Sequence, residues 1–182
     1  MKITKISKDT LIPTIWDGGE TFEYYIYPEN TLYANRDFLF RISAATITKV
    51  PSMFTKFNNY QRFLVMLDND LNININGKEE SYTPNDVFKF DSSSDIISYT
   101  KGNDFNLMVS KNVKLADLFF LNDALQLNQP FIFLFAIKDT SVEVNNETIN
   151  LKKTDLLLIE NNNQSDILLK TENTVLVGSL MI

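Results

Sequence analysis

At 182 residues the chain is long enough to bury about 70% of the surface its unfolded form would expose, so it needs no covalent staples. It has no Cys and no His, which excludes disulfides, thiolate nucleophiles, Ser-His-Asp triads and imidazole metal clusters, and leaves carboxylates, Lys, Arg, Tyr and hydroxyls for any chemistry. A formal charge of −6 argues against a sequence-independent nucleic-acid partner, which needs a basic face to displace counterions.

Lys2 to Ile6 alternates polar and apolar residues and predicts a short strand. Gly18-Gly19 predicts a tight turn or a close backbone approach. Thr21 to Tyr27 alternates again, placing Phe22, Tyr24 and Ile26 on one face and Glu23, Tyr25 and Tyr27 on the other. Phe38 to Thr48 predicts a long strand with Phe38, Phe40, Ile42 and Ala44 together and Arg41 with Ser43 opposite. Val50 to Asn59 reads as a loop that returns Phe54 and Phe57 to the body.

Tyr60 to Asp91 holds three hydrophobic segments, and Asn76-Gly77 inside it is a hairpin signal. Shifted by 69 residues, the offset from Asp86 to Asp155, the same pattern returns without a gap from Phe131 to Glu160. Between the copies, Asp104 to Val109 predicts a strand, and Lys111 to Leu121 fits helix or strand spacing, with strand preferred. Asp166 to Lys170 and Thr174 to Met181 close the chain as strands.

Short, evenly spaced strands with turn signals predict an all-β fold, and the duplication predicts two barrels. We expect a cupin-like (RmlC-like jelly roll), duplicated two-barrel (bicupin) chain, residues 1–111 carrying a pocket and residues 112–182 structural, with strands free to exchange between them. No apolar run approaches a membrane span, the longest being Pro130 to Ile137, so the expectation is a soluble, cytoplasmic protein with no membrane partner.

Several blocks carry a more specific likeness: Trp16 to Glu23, Tyr27-Pro28, Phe40 to Ala45, Phe54 to Phe57 with Arg62 and Leu64 to Asp70, and Asp104 to Met108. In this order they resemble the HutD/Ves family of small bacterial two-cupin proteins over roughly residues 11–110. The chain departs from the family in having two glycines rather than three at Gly18-Gly19, Asn58-Asn59 in place of proline-glycine, and Val109-Ser110-Lys111 in place of an arginine-rich stretch. The resemblance implies a regulatory role in histidine utilisation and the binding of a small acidic metabolite, such as formyl- or formimino-glutamate or urocanate. It requires neither metal nor cofactor.

Arg41, Ser43 and Arg62 would line one cavity if the faces opposite Phe40 and Phe63 turn inward, and paired arginine forks there would hold a carboxylate. The competing reading pairs each arginine with Asp104, Glu23 or a backbone carbonyl. Trp16 reads as a lid or stacking wall over the ligand or as a large core or rim residue, and Asn106 as a ligand-orienting amide or a turn or strand-edge hydrogen bond. Glu23 and Asp104 read as partners of the arginines, or as the general base of a metal-independent enzyme. A third reading is an interaction module whose exposed sheet forms a homodimer. Tyr24, Tyr25 and Tyr27 read as packing residues and Asp86 and Asp155 as turn residues, while Gly18-Gly19 lacks the spacing of a phosphate loop. Phe131 stands where the first copy has Arg62, so the second barrel is expected to be filled.

Overall fold

Alternating apolar and polar side chains, and short apolar runs such as Phe131–Phe135, build the chain from strands, and the computed structural model, which describes residues 1–182, has no helix beyond two 3-10 turns at Lys8–Thr10 and Tyr33–Asn35. The chain divides into two compact units, residues 11–112 and residues 1–10 with 113–182. The first strand, β1 (Lys2–Ile6), therefore belongs with the C-terminal residues.

In the unit of residues 11–112 the strands are β2 (Thr14–Trp16), β3 (Gly19–Tyr27), β4 (Phe40–Ile47), β5 (Ser52–Met53), β6 (Tyr60–Met66), β7 (Leu71–Ile75), β8 (Lys78–Tyr82), β9 (Phe88–Asp91), β10 (Ile96–Ser98) and β11 (Gly102–Ser110). They form a six-stranded sheet in the order β2-β3-β4-β11-β6-β9 and a four-stranded sheet in the order β5-β10-β7-β8. One apolar cluster joins β6, β7, β9 and β10 through Leu64, Met66, Leu71, Ile73, Phe88, Phe90 and Ile96. Each such side chain contributes roughly 1.5–3 kcal/mol by leaving water. A second cluster of Phe38, Phe57, Tyr60 and Met108 includes the loop aromatic Phe57, buried as its spacing predicts. The Tyr60 hydroxyl donates to the Phe38 carbonyl at 2.6 Å, so its polar end is satisfied inside that cluster.

Strict alternation fails in β3. Glu23 lies opposite Ser43 but Tyr25 lies opposite Ile42, so a bulge leaves Tyr24 as an extra residue. Beyond the bulge the faces exchange. Tyr25 packs at a tilt against Phe40 and Tyr27 stacks on it, while Ile26 packs with the Phe38 cluster on the face of Glu23. The expected grouping of Phe22, Tyr24 and Ile26 on one face is thereby corrected.

In the other unit, β1 is followed by β12 (Leu115–Leu121), β13 (Ala124–Leu127), β14 (Phe131–Phe135), β15 (Thr140–Val144), β16 (Glu147–Leu151), β17 (Leu156–Glu160), β18 (Ile167–Thr171) and β19 (Val175–Met181). The ambiguous stretch before Leu121 is a strand. The sheets run β1-β17-β14-β19-β12 and β13-β18-β15-β16. Without β1 this is the order β9-β6-β11-β4 and β5-β10-β7-β8 of residues 11–112, strand for strand. The hairpin turns match too, with positive φ at Asn76-Gly77 (50° and 86°) and at Asn145-Asn146 (50° and 71°). Asp86 accepts the Thr83 N–H and Asp155 the Lys152 N–H, so both aspartates are turn residues.

The match is not gapless. Arg62 lies opposite Phe90, and the residue opposite Ile159, 69 positions after Phe90, is Ile132. The offset is thus 70 in the first strand of the repeat and 69 after it, so Ile132, not Phe131, occupies the place of Arg62. A one-residue slip exchanges the faces of a strand. Ile132 and Leu134 accordingly enter the core with Val142, Leu157, Ile159 and Val177.

Candidate functional site

The inner face of the six-stranded sheet carries polar groups in register. Arg41 on β4 and Arg62 on β6 both lie opposite Met108 on β11. Ser43 and Leu64 flank Asn106, and Ala45 and Met66 flank Asp104. Period two along each strand turns these residues to one side and Phe40, Ile42, Phe63, Phe105 and Leu107 to the other. Arg41, Ser43, Ala45, Arg62, Leu64, Asp104 and Asn106 of the first set line a cavity of about 190 Å³, with Trp16, Thr21, Tyr33, Ser52 and Thr55 among the other walls.

Both arginines are held in place. The Arg41 Nε donates to Glu23 Oε2 at 2.6 Å and its Nη1 to Ser43 Oγ at 3.1 Å, while its guanidinium lies 4.3 Å from the Tyr33 ring centre. Arg62 is 7% exposed, donating from Nε to Ser92 Oγ at 2.9 Å and from Nη2 to the Thr55 carbonyl at 2.6 Å. These bonds, with the Tyr33 phenol also hydrogen-bonded to Arg62, use part of each five-donor fork, which has donors beyond them for a planar anion. Burial lowers the Arg62 pKa, as does the nearby Arg41, with Tyr33 and Asp104 opposing; an arginine stays charged through this. Two positive groups close enough to repel, one of them without a carboxylate partner, make the end of the cavity a seat for negative charge.

Asp104 is 5% exposed, and burial pushes its carboxyl up to about 7 against the pull of the Ala45 N–H and of Arg62, with Asp68 adding to the rise. It forms no ion pair with either arginine. Asn106 Oδ1 and Ser52 Oγ are buried without a hydrogen-bond partner. Trp16 is 38% exposed on the rim, its Nε1 donating to Thr21 Oγ1 at 3.1 Å. Its ring lies over Gly18, where any Cβ would come within 1.9 Å of it.

Of the seven candidate residues, Trp16, Arg41, Ser43, Arg62, Asp104 and Asn106 line the cavity together. Glu23 does not; the bulge keeps it beside Ser43, where it braces Arg41 from a partly exposed position. Sequence reasoning missed Tyr33, Thr55, Ser92 and Ser52. Thr55 acts through its backbone carbonyl, and Ser92 sits in a serine-rich loop that reads as a plain turn. Tyr33 stands in a 3-10 turn with no periodicity to mark it. Nowhere do three or more carboxylates gather as a metal-binding group.

The HutD family model matches residues 9–177. The chain belongs to the HutD family. Among solved structures, HutD from Pseudomonas fluorescens SBW25, in a formate condition, is similar over 99% of this chain and 98% of its own, with TM-score 0.84 and 22% identity. A conserved protein of Pseudomonas aeruginosa PAO1, PA5104, matches over 100% of both chains with TM-score 0.86 and 20% identity. A cupin 2 conserved barrel domain protein from Leptotrichia buccalis matches over 99% and 98% with TM-score 0.62 and 9% identity. At these identities the likenesses show the fold, which is all-β and cupin-like. No curated protein matches the chain.

This HutD family member carries the polar cavity in one unit only. In the other, the position equivalent to Arg41 holds the exposed Asp117, but those equivalent to Arg62, Asn106 and Asp104 are Ile132, Val177 and Val175, and those of Ser43 and Ala45 are Phe119 and Leu121. All five apolar residues belong to or pack against the apolar core of that unit.

Proposed function

We propose that this HutD family protein binds a small carboxylated metabolite between Arg41 and Arg62 and acts in the cytoplasm as a regulator of histidine utilisation. Formyl- or formimino-glutamate and urocanate are the ligand types in view. The observation that carries the reading is the pair of buried, braced guanidiniums sharing one cavity, Arg62 without a carboxylate of its own. An anion there gains bidentate, charge-assisted bonds and relieves the repulsion between the arginines. We further read the two units as duplicated cupin jelly-roll barrels, the one with residues 113–182 serving structure alone. Shared strand order and the apolar side chains at the positions equivalent to Arg62, Ser43, Asn106 and Asp104 support that reading.

Thermal denaturation in the presence of histidine, urocanate, formylglutamate, formiminoglutamate and formate tests the site. At a hundredfold excess over Kd a true ligand stabilises the fold by about 2.7 kcal/mol. The shift should vanish in Arg62→Ala and shrink in Arg41→Ala; no shift with any acid, or an unchanged shift in Arg62→Ala, overturns the assignment. A second reading, a metal-independent enzyme with Asp104 as general base, is favoured by a carboxyl poised near neutrality in the same cavity. Turnover of a binding acid that Asp104→Asn abolishes would establish it.

A further inference from the structure

The cavity is polarised along the strands. Arg41 and Arg62 occupy one cross-strand row, Ser43 and Asn106 the next, Ala45 and Asp104 the third. At a rise of about 3.3 Å per residue, the backbones of the arginine and aspartate rows stand roughly 13 Å apart. Trp16, opposite Gly19 and so one row beyond Ala45, stands at the aspartate end.

Charge accounting narrows what fits. Glu23 compensates Arg41, which leaves Arg62 and Asp104 as buried groups of opposite sign with no ion-pair partner. A simple acid would pair Arg62 and bring a second negative charge into the space of Asp104. A ligand carrying a positive or N–H end would pair both. Asn106 Oδ1, buried in the middle row without a donor, and an aromatic face at the aspartate end suit the same nitrogen-bearing molecule.

We propose that the ligand is bipolar, with a carboxylate at the Arg41–Arg62 end and a nitrogen hydrogen-bond donor, cationic or N–H, directed at Asp104 and Asn106. The inference rests on the carboxylate reading above and adds the chemistry of the far end. The charged groups acting on Asp104 are Arg62 on β6 and Asp68 after β6; Arg62 is in turn acted on by Arg41 on β4, to which Glu23 of β3 is bound, and by the Tyr33 phenol. With Asp104 titrating near neutrality, a simple acid requires its protonated form and a cationic end its ionised form.

Calorimetric titration of the full chain with hexanoate, 5-aminopentanoate and adipate at pH 6 and pH 8 decides the matter. The first two differ only in a terminal methyl against an ammonium, and adipate replaces it with a carboxylate. At pH 8, 5-aminopentanoate should bind at least about tenfold more tightly than hexanoate, with adipate weakest. Hexanoate should weaken from pH 6 to pH 8 while 5-aminopentanoate does not. In Asp104→Asn the preference and the pH dependence of hexanoate should both disappear. Equal affinities with parallel pH profiles in the unaltered protein, or a preference that survives Asp104→Asn, overturn the bipolar ligand and leave the carboxylate site standing. Binding of none of the three, nor of any acid in the thermal screen, overturns both.

Discussion

A carboxyl buried as Asp104 is works against the fold at neutral pH. Its folded pKa, about 7, lies above its ordinary value of 3.8, so the folded state holds the proton more tightly than the unfolded state does. Any contribution to stability is complete below the unfolded value and is lost as pH rises through the folded one. The penalty above pH 7 is on the order of a few kcal/mol. Asp104→Asn should therefore raise Tm at pH 8 and change it much less at pH 4, which thermal melts at the two pH values will read. Alternation in β4 and β6 made Arg41, Ser43 and Arg62 legible together, because period two fixes which side chains share a face. Tyr33, Thr55 and Ser92 were not legible, since their bonds come from loops seven to thirty residues away and depend on how those loops return.

Two single-residue events decide the facing of whole strands. The bulge at Tyr24 exchanges the faces of β3 and keeps Glu23 beside Arg41, and the offset of 70 rather than 69 brings Ile132 into the core. Neither changes composition or period enough to show in a linear pattern. β19 offers a sharper test, because a Cβ on Gly178 would lie 2.0 Å from the Phe133 ring in the facing strand. Overpacking of this kind costs about 1–3 kcal/mol or more. Gly178→Ala should lower Tm by roughly 2–4 °C for each kcal/mol, with ligand affinity preserved.

At the scale of the molecule, the first ten residues complete the unit built from the last seventy. β1 caps the edge of β17 over five residue pairs, and Lys5 pairs with the buried Asp155 at 3.0 Å. Deleting residues 1–10 should expose β17 as a bare edge, lower Tm, and increase amide exchange at Leu156–Glu160 far more than at β6. Equal protection in the truncated chain would show β1 to be dispensable. A fragment of residues 113–182 alone should fold only when the β1 peptide is added.

The strand content, the recurrence of one strand pattern in the two halves and the placing of two arginines on an inward face were set by residue order, since short-range alternation and turn chemistry are local properties of the chain. Tertiary structure decided the rest. It brought β1 to the far end of the sequence, closed the Ser92 hydroxyl and the Thr55 carbonyl around Arg62, and buried Asp104 until its proton is held near neutrality. Those outcomes depend on which distant segments meet and how much water they exclude, and no local pattern carries that information.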